Sequence, residues 1–230
     1  MNKIICGDCL EVMKEIPDNT IDLILTSPPY EDVKSAGYGV KTKDVLFLKL
    51  YSEFWDKFLK EYKRIIKDTG QIFINMKSKT MDKMIMTPHW IEFTEGFQQL
   101  KFKSYIIWKY AGSFDSTNKR MHLDYEIIYH LSKGDNIYLN QEGIDPLTSV
   151  WYIPHNIPKK DRKHPTQMPI KLAERIINLA SRKGETVLDT FNGVGTTTMA
   201  CKKSGRNFIG IEINPEYCKI ANQFLTTLSN

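Results

Sequence analysis

The chain has 230 residues, of which 41% are apolar and 26% charged, with a net charge of +5. Such a composition is that of an ordinary soluble globular protein, and the length suits one α/β domain on a scale of ~100–200 residues per domain. No stretch reaches the ~18 apolar residues of a membrane span, the segment Met1-Asn2-Lys3-Ile4-Ile5-Cys6 carries no signal-peptide core, and four cysteines do not make a disulfide framework, so a cytoplasmic protein is expected. The mild positive charge permits a nucleic-acid partner without demanding one.

Lys3-Ile4-Ile5-Cys6 predicts a short strand. Residues 9–16 predict a helix with Leu10, Met13 and Ile16 on one face, stopped at Pro17. Between them, Cys6-Gly7-Asp8-Cys9 has the C-x-x-C spacing of redox pairs. A zinc site would need two more ligands, and Cys201 and Cys218 are too far apart to form a second such pair. The plain reading is a turn whose useful group is Asp8. Pro17-Asp18-Asn19 is turn chemistry.

The apolar run Ile21-Asp22-Leu23-Ile24-Leu25 predicts a buried strand that ends in Thr26-Ser27-Pro28-Pro29-Tyr30. Residues 31–45 are polar, with Gly37 and Gly39 around Tyr38, and predict a mobile loop beside that corner. Residues 46–68 predict the longest helix, its Phe47, Leu50, Phe54, Phe58 and Ile65 forming a core face rather than a ligand groove. A strand over 70–75 and a helix over 90–100 follow, then strands over 104–110 and 125–131 that suit an antiparallel pair.

Residues 133–163 read as irregular and run into Lys159-Lys160-Asp161-Arg162-Lys163-His164, which taken alone is a solvated face. Pro169 opens a helix with Ile170, Ala173, Ile176, Ile177 and Ala180 on one side. A strand over 185–189, a helix over 193–203 and a strand over 207–212 come next, and Asn214 caps a last helix with Pro215 at its first position.

Alternating strands and helices predict a mostly parallel sheet covered on both faces, with ligands outside the C-terminal strand ends. Asp8, Ser27, Asp189 and Glu212 all fall at or just past such ends, which gathers them into one cleft. At the first of the two main motifs, prolines without N–H groups carry the chain stiffly out of the sheet. The Ser27 hydroxyl and the Pro28 carbonyl are then acceptors beside the Tyr30 ring, a set that suits a planar ring bearing an amino group. The second motif, Asp189-Thr190-Phe191-Asn192-Gly193-Val194-Gly195-Thr196, is a strand, a glycine turn and a helix start. Glu212, ending the next strand, suits the two hydroxyls of a ribose. Thr198 stands where a dinucleotide fingerprint needs its third glycine, and Asp189 would repel a pyrophosphate. Together these favour S-adenosylmethionine, which has an ammonium group and no phosphate, over NAD.

On these residues the chain resembles the amino-group DNA methyltransferases of bacterial restriction–modification systems, in the permuted β group where the catalytic motif precedes the cofactor loop. Thr26–Tyr30 resembles the S/D/N-P-P-Y/F/W motif, 189–196 resembles D-P-F-x-G-x-G-T, and His164-Pro165-Thr166-Gln167-Met168-Pro169 with Lys171-Leu172 resembles the segment before that loop. Thr190 replaces the usual proline, which predicts a less rigid cofactor loop, and Met168 stands where lysine is common. The resemblance implies a Rossmann-like, circularly permuted fold, with a mostly parallel seven-stranded sheet, helices on both faces, and Met1 near Asn230. It implies one catalytic domain over 1–230 with a short target-recognition insertion at about 133–163.

Carried over by residue, Asp189, Phe191, Gly193, Gly195 and Thr196 line the methionine and sulfonium side of the cofactor. Glu212 takes the ribose. Asp8, with Cys9 beside it, takes the adenine end. His164, Thr166 and Gln167 lie near the methionine carboxylate, and Ser27, Pro28, Pro29 and Tyr30 hold the target base. The acceptor is then a flipped base of double-stranded DNA, stacked on Tyr30 under the loop 31–44. Ser27 favours N4 of cytosine, with N6 of adenine as the alternative. Carbon-5 chemistry is disfavoured because no cysteine follows a proline. Lys119, Arg120, Lys159, Lys160, Arg162 and Lys163 are the expected phosphate contacts. A homodimer and a companion restriction endonuclease are compatible with the resemblance. An RNA or protein-amide methyltransferase is disfavoured by the motif order, and a catalytically inactive nucleic-acid-binding subunit by the intact Ser27, Tyr30, Asp189 and Glu212.

Overall fold

The computed structural model describes residues 2–28, 45–77, 80–81, 85–86, 90–110, 124–142, 147–155, 163 and 167–227. In chain order these form β1 (Lys3–Cys6), α1 (Cys9–Lys14), β2 (Ile21–Thr26), α2 (Val45–Ile65), β3 (Ile66–Met76), β4 (Thr80–Met81) and β5 (Ile85–Met86). A 3₁₀ turn (Trp90–Phe93), α3 (Glu95–Gln98), β6 (Lys101–Lys109), β7 (Tyr125–Ser132) and β8 (Val150–Tyr152) follow. The chain continues through α4 (Ile170–Ala180), β9 (Thr186–Asp189), α5 (Thr196–Ser204), β10 (Asn207–Glu212) and α6 (Pro215–Thr227).

The main sheet has the order β1-β10-β9-β2-β3-β7-β6-β8, with β4 and β5 forming a separate hairpin. Only β7 runs against the rest, pairing antiparallel with both β3 and β6. The predicted antiparallel pair is therefore present inside a mostly parallel sheet.

Alternate strand residues serve opposite faces, as the pleat requires. Ile24, Ile72, Ile74, Leu188 and Ile209 pack against Met13 of α1 and Trp55, Phe58, Leu59 and Ile65 of α2. Leu23, Leu25, Phe73, Val187 and Phe208 pack against Leu172, Ala173 and Ile176 of α4 and Ala200 of α5. The core role expected for the α2 aromatics holds for Phe58 and, at the edge of the cluster, Phe54.

Among the described residues the sheet has eight strands rather than the seven expected. The addition is β8, inside the segment read as irregular, which pairs in parallel with β6 through Trp108↔Trp151. Its three residues bury only Trp151, too little for a periodicity signal. The long helix also stops earlier than the sequence pattern suggests. Its last carbonyls, on Arg64 and Ile65, accept from the Asn19 and Thr20 amides at 3.1 and 2.9 Å, so the chain turns straight into β3. The helix expected over 90–100 is broken at Thr94. Its hydroxyl donates to the Ile91 carbonyl at 2.7 Å and accepts from the Phe97 amide at 3.2 Å, ending one turn and capping the next.

β1 pairs in parallel with β10 over Lys3↔Ile209 to Cys6↔Glu212, the junction that the permuted order demands. Asn2 reinforces it by exchanging hydrogen bonds with Phe208 at 3.0 and 2.9 Å. Met1, Asn230 and the loop 31–44 lie outside the described residues. No helix among the described residues is long and apolar enough to cross a membrane.

Candidate active site

The C-terminal ends of β1, β2, β9 and β10 meet at one edge of the sheet, and the two main motifs touch there. The Thr26 hydroxyl donates to Asp189 Oδ1 at 2.9 Å, across the β2–β9 junction. Asp189 is buried. Burial pushes its pKa up to about 6, Glu212's negative charge adds to that, and hydrogen bonds from Thr197, the Phe191 amide and Thr26 oppose it. A carboxylate so placed would gain much from a nearby cation, which would return it to the ionised form.

Thr190, the departure from the proline pattern, is buried and fixed in a different way. Its hydroxyl lies 2.5 Å from the Tyr62 hydroxyl and 3.3 Å from that of Thr26. The expected loss of rigidity is thus met by two side-chain contacts that proline could not make.

Glu212 accepts from the Gly193 amide through one oxygen and from the Asn214 amide through the other, each at 2.8 Å. The acid assigned to a ribose therefore also shapes the glycine loop. Gly193 (φ 50°) has open space where a side chain would stand. Gly195 (φ 91°) does not: a Cβ there would lie 2.9 Å from that of Ala221, where the loop backbone crosses α6. Phe191 is half-buried, its ring 5.3 Å from that of Phe58. Thr196 is buried at the first turn of α5.

Asp8 caps α1 through one oxygen, which accepts from the Leu10 and Glu11 amides at 2.8 and 3.3 Å. Cys9 follows it, and burial together with Asp8 and, more weakly, Glu212 pushes its thiol pKa up to about 12. A thiol held protonated this far is a poor redox nucleophile. No group of His, Cys, Asp or Glu suited to a metal occurs among the described residues.

At the other motif Ser27 is half-buried and Pro28 buried. The Ser27 hydroxyl accepts from Asn75 Nδ2 at 3.4 Å, and the same nitrogen donates to Glu126 at 2.7 Å.

The N6/N4 DNA methylase family model matches residues 21–223. The chain belongs to this family.

The methylase is 32% identical over 246 residues to the Type II methyltransferase M.HpaI of Haemophilus parainfluenzae, covering 99% of this chain and 75% of that protein. It is 30% identical over 257 residues to the DNA adenine methyltransferase YhdJ of Escherichia coli K12, covering 99% and 83%. Among solved structures it superposes on the cytosine-N4-specific PvuII DNA methyltransferase with a TM-score of 0.80 at 19% identity, covering 96% of this chain and 85% of that one. M1.HpyAVI, solved as its SAM complex, gives 0.70 at 23% identity, covering 96% and 98%.

Of the residues assigned from sequence, the methylase brings Asp8, Cys9, Ser27, Asp189, Gly193 and Glu212 to one edge of its sheet. Gln167 is turned to its own loop, its side-chain oxygen accepting from the Lys163 amide at 3.2 Å, and Lys163 is exposed. Met168 is a core residue, which explains why lysine is absent there. Pro29, Tyr30, Lys119, Arg120, Lys159, Lys160, Arg162, His164 and Thr166 lie outside the described residues. Sequence reasoning missed the parts played by Thr26, Tyr62, Asn75 and Glu126. Asn75 ends a predicted strand just as Thr26 does, so the strand-end rule applied to Ser27 would have found it.

Proposed function

We propose that this methylase transfers a methyl group from S-adenosylmethionine to an exocyclic amino group of a base flipped out of duplex DNA. The observation that carries this reading is the Thr26–Asp189 hydrogen bond, which joins the amine-binding corner to the cofactor loop.

The residues fit the cofactor. Asp189 offers a buried carboxylate to the ammonium group. The space above Gly193 admits close approach, and Glu212, already fixed by two amides, keeps lone pairs for ribose hydroxyls. Asp8 Oδ2, unused in capping, remains for the adenine amino group. S-adenosylmethionine, when bound, supplies an electrophilic methyl carbon.

An exocyclic amine is a poor nucleophile because its lone pair is delocalised into the ring. Acceptance of its two N–H hydrogens by Ser27 and by the Pro28 carbonyl draws the nitrogen toward a tetrahedral shape, with the lone pair facing the methyl carbon. Rate then comes from positioning and from dipoles fixed beforehand. Tyr30 stacks on the extruded base and 31–44 covers it. The segment 133–163 reads the sequence, and the basic residues around 119–120 and 159–163 hold phosphates.

Ser27 supports N4 of cytosine as the target. The whole-chain similarity to YhdJ favours adenine N6 as the second reading. Both amines present the same pair of N–H groups to Ser27 and Pro28. Incubation with radiolabelled S-adenosylmethionine and duplex DNA tests the activity, and mass spectrometry of the digested nucleosides separates N4-methylcytosine from N6-methyladenine. Label found only on RNA or protein, or an unimpaired Ser27→Ala variant, would overturn the proposal.

A further inference from the structure

A buried carboxylate stands two contacts away from Ser27, and no step above uses it. Glu126, the second residue of β7, is 8% exposed, and Asn75, near the end of β3, is 1% exposed. Asn75 is in register with Ile128, so Glu126, two positions earlier, lies diagonal to it on the same sheet face. The amide nitrogen of Asn75 donates to Glu126 Oε2 at 2.7 Å and to Ser27 Oγ at 3.4 Å.

Burying a carboxylate is costly unless it is paired. Here the Asn75 amide meets one oxygen and the Lys77 ammonium lies 3.8 Å from the other. The phenol of Tyr110 faces the same group, and burial and Glu126's charge hold its pKa well above the ordinary value. Deeper on this face, Phe73 and His130 stack at 4.4 Å, and the His130 ring donates from Nε2 to Gln71 Oε1 at 2.9 Å. That part of the strand pair is held without an ionised group. The Glu126 carboxylate sits at the strand end nearer Ser27, with Asn75 between them.

A side-chain amide can turn over and exchange its oxygen for its nitrogen. With its oxygen toward Glu126 it would meet a negative charge, so Glu126 fixes which end faces Ser27. An N–H there addresses the Ser27 hydroxyl oxygen as an acceptor, the role that oxygen would also play toward an incoming N–H. An amide free to turn would instead take the Ser27 hydrogen onto its oxygen and let the hydroxyl rotate.

We infer that Asn75 and Glu126 are positioning residues, with Glu126 locking the Asn75 amide so that Ser27 is held as an acceptor for the target amino group. The inference rests on the proposed role of Ser27. Its test measures kcat, KM and S-adenosylmethionine affinity for Ser27→Ala, Glu126→Gln and the double variant, on duplex DNA. The expected result is a fall of about tenfold in kcat for E126Q, cofactor affinity within about twofold, and a double variant no slower than S27A.

An E126Q enzyme with unchanged kcat, or one whose loss multiplies with that of S27A, overturns the inference. So does a loss that appears wholly as weaker cofactor binding. Should E126Q fail to fold by circular dichroism, Asn75→Ala and its double variant with S27A carry the same comparison. An S27A enzyme of normal rate instead overturns the role of Ser27, so the two failures are distinguishable.

Discussion

The proposed cofactor half of the site and its proposed acceptor half are built differently. In the cofactor half, carboxylates are satisfied largely by backbone amides close in the chain. Asp8 takes Leu10 and Glu11, Glu212 takes Asn214 and the neighbouring loop's Gly193, and Asp189 takes the Phe191 amide together with the Thr26 and Thr197 hydroxyls. In the acceptor half, side chains hold side chains across strands, from Ser27 to Asn75 to Glu126, with Lys77 alongside. A backbone-held group stays put when a neighbour is changed, whereas a chain of side chains passes a change along. The first half should therefore fail by losing affinity and the second by losing rate.

The largest effect expected is on turnover. Ser27→Ala should lower kcat by about a hundredfold or more while S-adenosylmethionine still binds, as measured by single-turnover kinetics and calorimetry. Asp189→Asn should do the reverse, weakening cofactor affinity by about tenfold to a hundredfold through loss of a charge-assisted contact. If D189N bound the cofactor normally, the contrast between the halves would disappear.

The same residue gives a pH signature. Its folded pKa of about 6 lies above the ordinary 3.8, so the folded, cofactor-free protein holds that proton more tightly than the unfolded chain does. Its contribution to stability is greatest below the ordinary value and declines as pH rises through about 6. D189N should remove that decline in thermal melts, and the unaltered protein should bind S-adenosylmethionine more tightly as pH rises from about 5 to 7.

Gly195→Ala combines a left-handed φ with a 2.9 Å approach to Ala221, and should destabilise the fold by about 2 kcal/mol in urea titrations. Smallest is Tyr62→Phe. It removes one buried hydroxyl contact with Thr190 and should cost about 1 kcal/mol with little change in kcat.

This contrast also explains what could be read from the sequence. Asp8, Asp189, Gly193 and Glu212 could be put forward from sequence because a carboxylate or glycine at a strand end is visible locally, and the fold brings all four to one edge of the sheet. The sheet and both helical layers follow from short-range periodicity. Glu126 is silent in sequence, a lone charge in an apolar strand whose amide partner, Asn75, is 51 positions away in the chain. Thr190 misleads for the same reason: as a replacement for proline it signals slack, and only the arrival of Tyr62 from α2 shows it tethered. β8 depends on β6 for its existence, and three residues cannot announce a partner.

Among the described residues, β1 has a single neighbour in the sheet, and that neighbour is β10. A chain emerging from the ribosome would hold Asp8 idle until residues beyond 207 had cleared the exit tunnel. The edge that carries Asp8 therefore waits for β10, and a polypeptide halted before β10 would lack the pairing that holds it.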